Sequence, residues 1–306
     1  MTPVKQEQAW APYVLLSPFL ILFLVFGLFP ILFSLYLMFH TWDPVQGLDA
    51  MQYVGLDNLR FALDDPLVWT SLSNTLWLAV ASGLPQHLVA IPLAYFINER
   101  LGAWRNAAMG IYFLPYITST VAIAIMFSTL FSTDYGAINA FLQMLSRWEW
   151  LSVVLPSHNI DWLGQPETIK PVIALVVFWR YVGFNTILYV AAMQSIPRDL
   201  YEAAKLDGAN SWRIFWFVTL PQLRPMMFFG ITLTVIGGLQ LFEEPFILTG
   251  GKGGIEYAGM TTALYMYRTA FEFSDFGLAS AISWLLFAII LLLTLITNRL
   301  FRNKGA

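Results

Sequence analysis

Residues 194–221 read Gln194-Ser195-Ile196-Pro197-Arg198-Asp199-Leu200-Tyr201-Glu202-Ala203-Ala204-Lys205-Leu206-Asp207-Gly208-Ala209-Asn210-Ser211-Trp212-Arg213-Ile214-Phe215-Trp216-Phe217-Val218-Thr219-Leu220-Pro221. The first half is polar, the whole is rich in helix-capping residues, and long apolar runs flank it at about 171–194 and 225–249. Neighbouring helices are usually joined by roughly 2–8 residues. An insert of about 27 residues is therefore more than a chain reversal requires. Its spacing predicts helix, turn, helix over about 195–220. Ser195 is placed to cap the first helix, with Pro197 in the first turn, where a missing N–H costs nothing. Asp199 and Glu202 suit the positive end of the helix dipole. Gly208 fits the left-handed position that follows a helix. Asn210 or Ser211 can cap a second helix with Trp212, Phe215, Trp216 and Thr219 on one face, ended by Leu220-Pro221. Two readings stay open on these residues alone: a docking surface for a soluble partner, or an interfacial helix that stabilises a membrane edge.

Composition makes the membrane explicit. The chain of 306 residues is 58% hydrophobic and 11% charged, with a mean hydropathy of +0.64. An average soluble domain carries about 25% charged residues. Crossing a bilayer takes about 20 apolar residues, and six stretches qualify: about 12–39, 71–97, 106–131, 171–194, 225–249 and 278–301. The first is too long for a cleaved signal segment and reads as a retained anchor. There is no cysteine, which excludes disulfides and thiolate metal sites. His40, His87 and His158 show no metal-ligand spacing, and neither a metal nor a cofactor is implied.

Basic residues orient the spans. Lys5, Arg100, Arg105, Arg198, Lys205, Arg213, Arg224, Arg299, Arg302 and Lys304 fall on one side. Arg60, Arg147, Lys170, Lys252 and Arg268 fall on the other, and Arg180 lies within the fourth span. The positive-inside rule then places both termini and the 195–220 insert in the cytoplasm. The expected fold is an all-α membrane protein of six transmembrane helices, with a cytoplasmic helix-turn-helix between spans 4 and 5. No low-complexity segment or internal repeat stands out, and a single domain over 1–306 is the simplest count. In the outer loop 132–170, residues 138–148 have the pattern of an amphipathic surface helix.

Charges inside a membrane are functional by default. Arg180 in span 4 and Glu243 and Glu244 in span 5 lie at depths that differ by a few ångströms at roughly 1.5 Å per residue. The expectation is an intramembrane ion pair between Arg180 and one of the two acids. On span 4, Trp179, Val182, Gly183 and Thr186 share a face; on span 5, Thr234, Gly237, Gly238, Leu241 and Glu244 do the same. Both faces read either as a substrate path or as ordinary helix packing through small residues. His87, after Pro85, reads as a satisfied packing residue at a kink rather than a proton relay.

The insert also carries a motif: Glu202-Ala203-Ala204, three residues, Gly208, nine residues, then Val218-x-Leu220-Pro221. This resembles the cytoplasmic-loop signature of ABC importer permeases, with Val218 where that family more often has Ile. Further segments resemble the sugar-importer branch of maltose and glycerol-phosphate type: Tyr53-Val54-Gly55-Leu56-Asp57-Asn58, Phe113-Leu114-Pro115-Tyr116, Asp161-Trp162-Leu163, Trp179-Arg180-Tyr181-Val182-Gly183-Phe184-Asn185, Gln194-Ser195-Ile196-Pro197, Thr249-Gly250-Gly251 and the run from Ala270 to Ala281. Together they cover about residues 12–302. The chain is similar to the member of the permease pair related to the maltose type's larger subunit, without its extra N-terminal spans and large outer domain. Lys252 and two glycines replace the Gly-Pro that usually follows Thr-Gly-Gly.

The resemblance implies a transmembrane subunit of an ATP-driven, binding-protein-dependent sugar importer in a bacterial or archaeal cytoplasmic membrane. It implies that Glu202, Ala203, Ala204, Asp207 and Gly208 form the joint with a cytoplasmic ABC ATPase dimer. A second homologous permease, an extracytoplasmic solute-binding protein, membrane lipid and a sugar are the other implied partners; nucleic acid is not. It favours Trp179, Gly183, Thr186, Thr234, Gly238, Leu241 and Glu244 as the substrate pathway. The chain has no phosphate-cradling Gly-x4-Gly-Lys-Ser/Thr loop and is not expected to be the motor or an enzyme. The competing reading is a stand-alone secondary transporter or channel that uses the intramembrane glutamates.

Overall fold

A computed structural model describes residues 7–148, 150 and 158–302. Lys5 and Lys304, used above for orientation, lie outside them, as does Glu149. The described chain is mostly helical, with one two-stranded antiparallel sheet. Among the described residues five helices are long and apolar enough to cross a membrane, and a bent pair brings the number to six if it counts as one span. The chain falls into two compact units.

The first unit comprises residues 1–65 and 266–285. Helices α1 (Glu7–Phe23) and α2 (Phe29–Leu37) are joined by a π-helical turn, Leu24–Leu28. No residue from Pro12 to Tyr36 is buried, as in a span facing lipid or partner helices. Strands β1 (His40–Thr41) and β2 (Gln52–Tyr53) lead to α3 (Asp57–Asp64). Asn58 is buried there because its amide donates to the carbonyls of Met38 at 3.0 Å and His40 at 2.9 Å. Gly277 lies against the His40 carbonyl, where a Cβ would be 2.8 Å from Asn58 Nδ2. The Asn58 and Gly277 segments, conspicuous in sequence, thus meet as one packing joint.

The second unit comprises residues 66–265 and 286–306. Helix α4 (Pro66–Arg100) runs through Pro85 and Pro92 without interruption. Then come α5 (Arg105–Ile117), α6 (Thr120–Leu130), α7 (Ala137–Leu145) and α8 (Pro166–Gln194). The 195–220 insert holds α9 (Arg198–Leu206), α10 (Ser211–Ile214) and α11 (Leu220–Gln222). Helices α12 (Arg224–Leu239) and α13 (Glu243–Leu248) follow. Helices α14 (Thr262–Phe271) and α15 (Phe276–Arg302) each continue across the limits of the two units. Within the second unit α8 packs along α4 and α5, and α12 along α4.

Two expected spans are not single straight helices. The run 106–131 is split into α5 and α6, bent by 90°. Thr118 and Ser119 are extended there (ψ 149° and 128°), two residues beyond Tyr116 and its neighbour Pro115. Thr118 Oγ1 donates to the Leu114 carbonyl at 2.7 Å, closing the broken end. The run 225–249 breaks between Leu239 and Glu243. Proline at 245 has no N–H for the carbonyl four residues back. That carbonyl, Leu241's, instead accepts the Thr261 hydroxyl at 2.7 Å.

One side chain of α7 ties down the described residues Ile160 and Trp162 that lead into α8. Asn139 is buried, donates to the Ile160 carbonyl at 2.9 Å, and accepts from the Ile160 amide and Trp162 Nε1.

Candidate functional site

The insert is tied down on one side and bare on the other. Helix α9 ends in a paired capping motif: the Ala209 amide donates to Ala204 at 2.9 Å and the Gly208 amide to Lys205 at 3.0 Å. This needs a left-handed residue at Gly208, whose φ is +77°. Asn210 Oδ1 then accepts from the Arg213 amide at 2.9 Å and starts α10. Three expectations need correction. Ser195 does not cap α9; it closes α8, with Oγ donating to Ala192 at 2.8 Å, and Pro197 precedes α9. Leu220-Pro221 does not end the second helix. A π-helical turn over Phe215–Thr219 leads straight into α11, where proline sits in a first turn. The wide turn also splits the expected face: Phe215 and Thr219 are buried, whereas Trp212 and Trp216 are exposed.

Phe215 and Leu223 join a core with Ala90, Ala94, Tyr189 and Val190 of α4 and α8. Tyr95 donates to the Ser211 carbonyl at 3.1 Å, and the Tyr201 hydroxyl lies 3.3 Å from Thr219 Oγ1. Burial pushes the Tyr201 hydroxyl pKa up. Glu202, Ala203, Asp207 and Gly208 are exposed and Ala204 is half-buried. Leu206 is 89% exposed. An apolar side chain so bare beside two alanines is the part of this surface that sequence reading missed, although its spacing from Ala203 marks it.

Between α4, α8 and α12 lies a cavity of about 200 Å³. Its lining is Ser82, Gln86, Tyr116, Val177, Tyr181, Phe184, Asn185, Leu233, Thr234, Gly237, Gly238 and Leu241. Thr234, Gly238 and Leu241 were expected here; Trp179, Gly183, Thr186 and Glu244 are not among the lining residues. The reason is local. Gly183 is where α8 crosses the backbone of α5: a Cβ there would be 2.6 Å from the Tyr112 carbonyl carbon. Thr186 is fully buried and donates to the Val182 carbonyl at 2.7 Å. Trp179 packs edge-on against Phe127 with centroids 5.3 Å apart. Helix α8 turns Tyr181, Phe184 and Asn185 to the cavity instead. Tyr116 stacks on Phe184 at 4.5 Å and meets Tyr181 edge-on at 5.7 Å. Asn185 Nδ2 donates to Gln86 Oε1 at 3.1 Å.

Arg180 Nη1 stands 3.0 Å from Glu244 Oε1, with the two side chains 13% and 3% exposed. The same nitrogen donates to the Tyr181 hydroxyl at 3.3 Å. Glu243 is exposed and outside this pair. His87 bridges three helices: Nδ1 is 2.7 Å from the Tyr189 hydroxyl and Nε2 3.0 Å from Thr234 Oγ1. Both ring nitrogens are thereby used.

Spanning helices around a half-polar cavity, with an ordered insert joining two of them, define a membrane transport subunit. The chain belongs to the family of binding-protein-dependent transport system inner membrane components, whose model matches residues 88–303. It is 34% identical to the lactose transport system permease protein LacF of Rhizobium radiobacter, over 92% of this chain and 91% of that one. It is 32% identical to the arabinooligosaccharides transport system permease protein AraP of Bacillus subtilis, over 96% and 90%. Among solved structures, a bacterial ABC transporter involved in the import of the acidic polysaccharide alginate matches with a TM-score of 0.82 and 25% identity, covering 98% of each chain. A second structure of an alginate transporter, in complex with its pentasaccharide-bound periplasmic protein, matches with a TM-score of 0.82 and 26% identity over 97% of this chain and 96% of that one. The chain is thus a multi-pass inner-membrane permease component rather than an enzyme.

Proposed function

We propose that this chain forms half of the translocation pathway of a sugar importer and couples it to a cytoplasmic ABC ATPase dimer. It acts as one permease domain over 1–306, beside a second homologous permease, and receives its cargo from an extracytoplasmic binding protein. Six spans cross the membrane with both termini cytoplasmic, α5 and α6 together making the third. The helix pair α9–α10 is the cytoplasmic joint, with Glu202, Ala203, Ala204, Asp207 and Gly208 at the contact. The observation that carries this reading is the contrast across the insert: packed into the core through Phe215, and through Leu223 just after it, yet bare at Leu206. A rigid body with an exposed apolar tip transmits a push, because capped helices do not bend under it. Thr234, Gly238, Leu241 and the aromatic wall of Tyr116, Tyr181 and Phe184 form this chain's side of the sugar path. Hydroxyl and amide groups meet sugar hydroxyls, and ring faces meet sugar C–H faces. Trp179, Gly183 and Thr186 act behind that path, in helix packing, and the Arg180–Glu244 pair closes its edge.

The test is reconstitution into vesicles. Uptake of sugar should need ATP, the ATPase subunits and the binding protein. Glu202→Lys or Leu206→Glu should leave assembly intact and separate ATP hydrolysis from uptake. Uptake by the permeases alone would sink the proposal.

A further inference from the structure

Among the described residues the cavity lining carries no charged side chain. It offers Ser82, Gln86, Asn185 and Thr234 as neutral polar groups and Tyr116, Tyr181 and Phe184 as rings. One cation comes close: Arg180 reaches the lining through its hydrogen bond to Tyr181. That charge is cancelled by Glu244 at 3.0 Å, in a place where both side chains are withdrawn from water. Water screens such a pair poorly, so each charge is neutralised chiefly by the other. The Arg180 Nε is buried without a hydrogen-bond partner. Glu243 is exposed and makes no ion pair with it, so among the described residues Glu244 is the carboxylate the guanidinium pairs with. A carboxylate, sulfonate or phosphate on the cargo would lose its water without meeting a free cation, which is costly. A sugar hydroxyl would meet amides and hydroxyls of its own kind.

We infer that this chain's half of the pathway is built for an uncharged saccharide, and that Glu244 sets this preference by neutralising Arg180. The inference rests on the reading of the cavity as a sugar path. Family likeness does not decide it, since the relatives named above include a lactose permease and an importer of an acidic polysaccharide.

The chain has no cysteine, so Leu233→Cys puts a single thiol on the lining. The probes are two methanethiosulfonates, one bearing a sulfonate and one a trimethylammonium group, applied to the assembled importer with other cysteines removed. Relative to a free thiol, the two should react at similar rates. Glu244→Gln should shift the ratio toward the anionic reagent by about tenfold, as a partly screened, uncompensated charge beside the lining would. Arg180→Gln/Glu244→Gln should bring it back, which simple loss of packing would not do. An unchanged ratio in Glu244→Gln, or a strong anionic preference in the parent, would overturn the inference. A thiol inert to both reagents would overturn the cavity geometry beneath it. Uptake of a neutral oligosaccharide and its uronate counterpart is then compared at saturating loaded binding protein. Faster uptake of the neutral sugar is expected. Preference for the uronate would overturn neutrality and leave the sugar reading standing; import of neither would overturn the sugar reading itself.

Discussion

Gly183→Ala should damage this protein more than any other single methyl group in the cavity region. The Cβ would stand 2.6 Å from the Tyr112 carbonyl carbon, and closer still to its oxygen. Ordinary contact begins near 3.4 Å, so the backbones of α5 and α8 must separate by about 0.8 Å at the carbon and by more at the oxygen. No side-chain rotation can absorb this, because the obstacle is main chain. Overpacking of this kind costs about 1–3 kcal/mol, and a rigid obstacle puts the expected value near the upper end. For a chain of this size, about 3 kcal/mol lowers the midpoint of unfolding by roughly 5–10 °C. Tyr116 and Phe184, stacked at 4.5 Å, lie on the same two helices and would be pulled apart with them. Uptake should therefore fall even below the melting transition. Gly237→Ala is the control. It lines the same cavity, but its Cβ would meet nothing within 4 Å. Alanine is about 0.8–1.0 kcal/mol better than glycine in a helix. Gly237→Ala should keep or raise stability while narrowing the path. The assay is thermal unfolding of the purified complex beside uptake in vesicles. A midpoint for Gly183→Ala within 1–2 °C of the parent, about the shift that 0.5 kcal/mol would give, would refute the close-crossing argument.

Three further substitutions probe the other joints. His87→Leu leaves the buried Tyr189 hydroxyl and Thr234 without their bridge; a loss of about 1–3 kcal/mol is expected from the stranded groups, read by thermal unfolding, with His87→Gln recovering part of it. Asn139→Leu removes the bonds that hold Ile160 and Trp162, and limited proteolysis of the 132–165 loop should quicken by at least about tenfold, since more than 1.4 kcal/mol is at stake. Gly208→Val forces a branched residue to φ +77°, at a cost of about 1–3 kcal/mol; more ATP should be hydrolysed per sugar imported, measured as the ratio of the two rates.

The apolar runs, the Asn210 cap and the Gly208 turn were legible because each is written in local pattern: apolar length, a capping residue and a left-handed position. What was not legible came from contacts between distant segments. Periodicity placed Gly183 and Thr186 on one face of α8, but it carries no information on which face meets a neighbour. The crossing of α5 at Tyr112 decided that, and turned Tyr181, Phe184 and Asn185 to the cavity. The break before α13 had a sequence signal in Pro245, yet a proline inside an apolar run is compatible with either a kink or a broken helix. Thr261, twenty residues on, takes up the Leu241 carbonyl and makes the break stable. The Phe215–Thr219 π-turn shifted the tryptophans outward for the same class of reason: Phe215 and Leu223 are claimed by the core of α4 and α8, and the backbone between them widens to let both enter.

These joints bear on how a movement at the insert, as proposed above, would reach the cavity. Phe215 and Leu223 fix the insert to α4 and α8. Higher on the same helices, Tyr189 and His87 are hydrogen-bonded, and His87 reaches Thr234 on the cavity wall. Close crossings reinforce the contact: a Cβ on Gly83 would be 2.7 Å from Thr234 Cγ2, and one on Gly238 3.0 Å from Ala79 Cβ. Packed interiors resist compression and pass displacement on. Helices α4, α8 and α12 therefore have the construction of one rigid block with the insert at its foot. The helical backbone is interrupted elsewhere, at Thr118–Ser119 and between Leu239 and Glu243. Tyr116 stands just before the first break and Leu241 inside the second, and both line the cavity. A push on the block would thus meet, at two points on the cavity's own wall, a backbone held by the Thr118 and Thr261 hydroxyls rather than by a continuous helix ladder, and there a small change of backbone angle would alter the path most.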